Sequence, residues 1–152
     1  MKKLVLSSLL LLIANQSYAA SDWSKETNDL YVAKTEYSDL KAAIIRKDNR
    51  VYTALLLNDS TCNYSGQYAS LGIEEIVRVN GSAVWYKAYC KDKGVLQMFP
   101  TNRRGHDIAV AAFKKSNFVE FNFYQSQLLN VGTLKVSAMG FSNSYNALLT
   151  SK

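Results

Sequence analysis

The sequence predicts an α+β domain: an antiparallel β-sheet of about six strands, made of hairpins and a meander, with one or two helices packed on one face and one disulfide. Three observations carry that expectation. Asn80–Gly81 stands between the alternating runs Val77/Val79 and Val84/Tyr86/Ala88, as a type I′ hairpin turn requires, since both central residues need φ > 0. The stretch "GHDIAVAAFKK" repeats apolar residues at helical spacing, with His106, Val110 and Phe113 at i, i+4 and i+7. Two cysteines, Cys62 and Cys90, stand in a chain that opens like an export signal, and an even count in an exported domain reads as one disulfide.

The opening "MKKLVLSSLLLLIANQSYAAS" has a basic start at Lys2 and Lys3, an apolar run from Leu4 to Ala14, and small residues at Ser17 and Ala19. These are the three parts of a secretory signal. Residues 1–19 are expected to be removed by cleavage after Ala19, with Ala20 as the alternative. The apolar run is shorter than the ~20 residues that span a bilayer, so no transmembrane segment is expected once it is gone. The short basic start reads as bacterial, and the destination as the periplasm or the medium. Residues 20–152 are the size of one domain. Removing Lys2 and Lys3 lowers the formal charge from +6 to +4, a mild excess that favours anionic surfaces and gives no ground for a nucleic-acid partner in that compartment.

Past the signal, "SDWSKETNDLY" is polar, with Trp23 expected to pack back onto the domain and the ends to fray. Ala42–Ile45 and Val51–Leu57 flank the turn-forming "KDN" and read as a hairpin. Leu40, Ala43 and Ile44 also fit a short helix capped by Ser38, so Ala42–Ile45 remains open between strand and helix. Ser60–Gly72, rich in Ser, Gly, Asn and Tyr, reads as a loop pinned by Cys62. The NG hairpin continues through a turn at Lys91–Gly94 into "VLQMFP", a three-stranded meander whose last strand is stopped by Pro100.

Thr101 or Asn102 is then expected to cap the helix, with Asp107 in its first turn and Lys114–Lys115 in its last, both favourable to the helix dipole. Val119, Phe121 and Phe123 alternate with polar residues, as do Leu134, Val136 and Ala138, predicting two more strands. Phe141, Tyr145 and Leu148 predict a short closing helix.

Chemistry-bearing residues are few. His106 is the single histidine, and its neighbour Asp107 points about 100° away on a helix, so the pair is not oriented as in a catalytic triad. No serine lies in a Gly-x-Ser-x-Gly elbow, both cysteines are expected to be oxidised, and Glu74 and Glu75 face opposite sides of a strand. The sequence therefore assigns no catalytic residue, no metal ligand and no cofactor. Arg103 and Arg104, if they precede the helix, would surround an anion together with the first-turn N–H groups and Gly105. Lys91, Lys93, Lys114 and Lys115 make this quarter of the chain the most basic, and Tyr64 and Tyr68 supply contact area suited to a protein partner. The binding residues expected are thus Arg103, Arg104, Gly105, His106, Lys91, Lys93, Tyr64 and Tyr68.

These features favour a small exported interaction protein, such as an inhibitor or immunity-type factor for a secreted or envelope enzyme, whose partner is another protein of the envelope. Two other readings are a carrier or sensor of a small anionic ligand and a hydrolase using His106.

Overall fold

The structure is a computed structural model that describes residues 22–60, 62, 69–124 and 126–151. The expected signal, with its cleavage site, lies outside the described residues, as do Tyr64 and Tyr68. Among the described residues, nine strands and two helices follow in the order β1 (Trp23–Thr27), β2 (Leu30–Lys34), β3 (Leu40–Lys47), β4 (Arg50–Asn58), β5 (Ala69–Val79), β6 (Ser82–Asp92), β7 (Val95–Pro100), α1 (Arg103–Lys115), β8 (Phe118–Asn122), β9 (Thr133–Ser137) and α2 (Phe141–Thr150). The α+β class and the antiparallel sheet are as expected, but the sheet has nine strands in the order β1-β2-β3-β4-β7-β6-β5-β8-β9, not about six.

The strands that the sequence hides are the first two. In β1 only Trp23 is buried, so its period-2 signal has a single member, and a polar edge strand looks like a loop. Likewise β5 begins at Ala69, inside the stretch read as a loop, with an irregular register between Ser70 and Glu74 that breaks the alternation. Leu40–Lys47 is a strand throughout. Its two-residue connection to β4 is a tight turn with Asp48 at φ 51° and Asn49 at φ 59°. The NG turn has the same chemistry, with Asn80 at φ 45° and Gly81 at φ 84°, which glycine adopts at no steric cost.

Opposite edges of the sheet come together. The Asp22 amide donates to the Met139 carbonyl at 3.1 Å, and Trp23 Nε1 donates to the Ser137 carbonyl at 3.0 Å. The sheet is thereby rolled around both helices, and the main core fills the roll. Trp23 meets Phe113 and Phe141 edge-on, each at 5.3 Å between ring centres, while Phe113 and Phe141 stack at 4.6 Å. Offset and edge-on pairs of this kind add to the energy of burial. Cys62 and Cys90, both buried, form the expected disulfide with Cα atoms 5.3 Å apart.

α1 starts at Arg103, directly after Asn102, one of the two expected caps. Its cap is Asn102, whose Oδ1 accepts from the Gly105 amide at 2.8 Å, leaving the first turn without an acid. Asp107 therefore lies beyond that turn, because the cap sits before Arg103. The buried stripe is Gly105, Ala109 and Phe113, rotated by one residue from the expected stripe through His106 and Val110. Gly105 explains the rotation: a Cβ there would lie 2.8 Å from Val84 Cγ1, so only glycine lets the helix approach β6 this closely. α2 buries Phe141, Tyr145 and Leu148 as expected. Among the described residues, no helix is long and apolar enough to cross a membrane.

Candidate functional site

The turn between β3 and β4, the Pro100–Asn102 link, the first turns of α1 and the end of α2 enclose a cleft of about 580 Å³. Tyr52, His106 and Tyr145 form its walls, and Arg50, Arg103 and Asp107 also line it. β4 places Arg50 and Tyr52 on the same pleat, two residues apart. α1 places Arg103 and His106 on the same side, three residues apart.

His106 is the centre of this arrangement. Its side chain is 17% exposed, and its ring lies edge-on to Tyr52 at 6.0 Å and tilted to Tyr145 at 6.5 Å. Nδ1 faces Asp107 Oδ1 at 3.7 Å, whereas the buried Nε2 has no hydrogen-bond partner among the described residues. Burial lowers the His106 pKa below its ordinary 6.5, against the opposing pull of Asp107 and the Val51 backbone. Tyr145 is shifted upward by burial and then by the Asp107 charge. At neutral pH the cleft thus holds a neutral imidazole and a protonated phenol, with Arg50, Arg103 and Asp107 also on its lining. Among the described residues, no hydroxyl lies at hydrogen-bonding distance from Nε2.

The expected binding residues are dispersed. Arg103 and Arg104 lie in the first turn of α1 itself, where successive side chains diverge by about 100°. Arg103 is 94% exposed, lines the cleft and has Nε 3.8 Å from Asp107 Oδ2. Arg104 lines a second groove, of about 480 Å³, with Ser82, Trp85, Gly105 and Ile108. The Gly105 amide is occupied by the Asn102 cap, so these three residues do not surround one anion. Lys91 and Lys93 sit at the other end of the β6–β7 hairpin, roughly 20 Å from the helix start by the rise of a strand. Sequence reasoning missed Arg50, Tyr52, Trp85 and Tyr145. Nothing local marks the first two, because only the rolled sheet brings the β3–β4 turn to the helix.

No protein-family model, curated protein or solved structure matches the chain. Its functional reading rests on this geometry alone. Among the described residues, no group of three or more His, Cys, Asp or Glu side chains is placed to hold a metal ion.

Proposed function

We propose that the protein is a small exported interaction protein, of the inhibitor or immunity type, that grips an acidic surface of a secreted or envelope enzyme with the N-terminal end of α1. The observation behind this reading is that this end of the helix stands between two grooves, each pairing arginine with aromatic side chains. One holds Arg50 and Arg103 with Tyr52 and Tyr145, and the other holds Arg104 with Trp85, which is 49% exposed. Arg, Tyr and Trp are the residues on which binding energy concentrates in protein interfaces. A rolled, disulfide-tied scaffold carries them with little ordering entropy left to lose.

The test is capture from an envelope extract by the tagged mature protein, beside Arg50→Glu/Arg103→Glu and Trp85→Ala variants. One stoichiometric partner, lost in either variant, is the expected result. A partner retained equally by both variants places the interface elsewhere, and capture of none removes the reading. The cleft's volume favours one second reading, a carrier of a small anionic ligand held between Arg50 and Arg103. Native mass spectrometry of protein purified from its own compartment would then show a bound mass that the double variant lacks.

A further inference from the structure

The outer face of β6, β5 and β8 carries an exposed apolar row. Alternate residues of these strands enter the core, so Val84, Tyr86 and Val77 are buried while Trp85, Ile76 and Arg78 point outward. Trp85 is the direct partner of Ile76, and Arg78 of Asn122. Tyr124 lies two residues beyond Asn122, the end of a strand that runs against β5, which brings it level with Ile76. The Phe123 amide donates to the Gly132 carbonyl at 2.6 Å, and the Tyr124 amide to Asn122 Oδ1 at 3.2 Å, so the β8–β9 hairpin fixes this position. The row Trp85–Ile76–Tyr124 thus crosses three neighbouring strands, its members 49%, 37% and 78% exposed.

Polar side chains border the row on both sides. Glu74 and Lys87, direct partners with Nζ 3.6 Å from Oε1, stand on one side. Arg78 and Asn122 stand on the other, where they line a depression of about 360 Å³ together with Ile76, Ala83 and Tyr124. Further along the same face Glu120 is opposite Lys135. Charges of mixed sign give a polyanion little attraction, whereas exposed apolar side chains rimmed by polar ones mark a binding surface.

A sugar ring has the matching division of chemistry. Its slightly positive C–H bonds point from its faces and meet the negative face of an aromatic ring, while its hydroxyls radiate from the edge as both donors and acceptors. In a β-1,4-linked chain each sugar is turned over relative to the next, so every second one presents the same face to a flat surface. Neighbouring strands lie about 4.8 Å apart, which sets the backbone positions of Trp85 and Tyr124 about 10 Å from each other. That is the separation of alternate sugars in such an extended chain.

We propose that the row Trp85–Ile76–Tyr124 is a platform for an uncharged β-1,4-linked glycan strand, with alternate sugars stacked on Trp85 and Tyr124. Arg78 and Asn122 along one edge, and Glu74 and Lys87 along the other, bond its hydroxyls. Trp85 is shared with the groove of Arg104, but Ile76, Arg78 and Tyr124 are not. The platform goes beyond the protein-binding reading and does not depend on it.

The test is calorimetric titration of the mature, disulfide-bonded protein with cellohexaose, chitohexaose and the α-1,4-linked maltohexaose, whose coiled chain does not offer alternate sugars to one plane. At least one of the two β-linked hexamers is expected to bind, and maltohexaose roughly tenfold more weakly or not at all. Tyr124 is exposed enough for Tyr124→Ala to leave the fold intact, and this variant is expected to weaken binding by about tenfold. Tyr124→Phe is expected to keep it, because stacking needs the ring and not the hydroxyl. Arg50→Glu/Arg103→Glu is expected to leave glycan binding unchanged, so loss of a protein partner at α1 and loss of the glycan are separate results. Binding of neither β-linked hexamer, equal binding of maltohexaose, or undiminished binding by Tyr124→Ala overturns the platform. An envelope protein captured by the wild type and lost from Tyr124→Ala, with no glycan bound, would make this face a protein interface and overturns it too.

Discussion

Glu75 of β5 holds Ser126 of the segment that follows the neighbouring strand β8: the buried carboxylate accepts the Ser126 hydroxyl at 2.5 Å. It also accepts the Gln127 amide and, at 3.0 Å, the Leu128 amide. Its neighbour Glu74 faces solvent, 3.6 Å from Lys87 Nζ, so adjacent acids on opposite faces of one strand do different work. Hydrogen bonds to a charged acceptor stabilise more than neutral ones, and losing the acceptor strands its donors. Glu75→Ala is therefore expected to lower stability by roughly 2–4 kcal/mol, and Glu74→Ala by far less, since exposed ion pairs contribute little. Chemical denaturation of the two variants checks this. Equal losses would show that the carboxylate does not secure the 126–128 segment.

Gly105 is a position where helix propensity and packing disagree. Alanine is the better helix former by about 1 kcal/mol, yet its Cβ would lie 2.8 Å from Val84 Cγ1 and 3.3 Å from Pro100 Cβ. Overpacking of this kind costs about 1–3 kcal/mol. Gly105→Ala is expected to lower the Tm despite its propensity, and the Gly105→Ala/Val84→Ala pair to lose less than the two single effects combined. Additive losses would mean that the two residues do not oppose each other.

His106 makes stability depend on pH in one direction. Its folded pKa lies below the ordinary 6.5, so as pH falls the unfolded chain takes up the proton first. The stability present above that pH is lost as pH falls through 6.5 towards the folded value. Between pH 8 and 5 the wild type is expected to lose more stability than His106→Gln, whose curve retains only the other groups. Parallel curves would show that the burial of the ring is not felt.

The disulfide closes a loop with a sequence separation of 28 residues. Such a closure stabilises by about 3–4 kcal/mol in the chain-entropy model. Verified reduction is expected to lower the Tm by roughly 10 °C for a domain of this size, with the far-UV spectrum below the transition retained. An unchanged melting curve would remove the staple from the account.

Much of the fold is legible in the sequence where the cause is local. Asn80–Gly81 specifies its turn because two neighbouring residues must take positive φ, and Phe141, Tyr145 and Leu148 specify their helix face because period alone places them together. Asn102 caps α1 for an equally local reason. The α+β class and the cysteine pairing follow from such signals and from composition. What only the tertiary structure decided depends on rolling the sheet. β1 counts as a strand because Trp23 finds Phe113 and Phe141 about ninety to one hundred and twenty residues later. The stripe of α1 turns by one residue because β6 admits no side chain at Gly105. The two arginines of its first turn part into separate grooves, and Arg50 joins one of them from a distant hairpin. Sequence spacing reports which residues share an element's face, whereas a cleft is made of faces from several elements, and their meeting is set by packing.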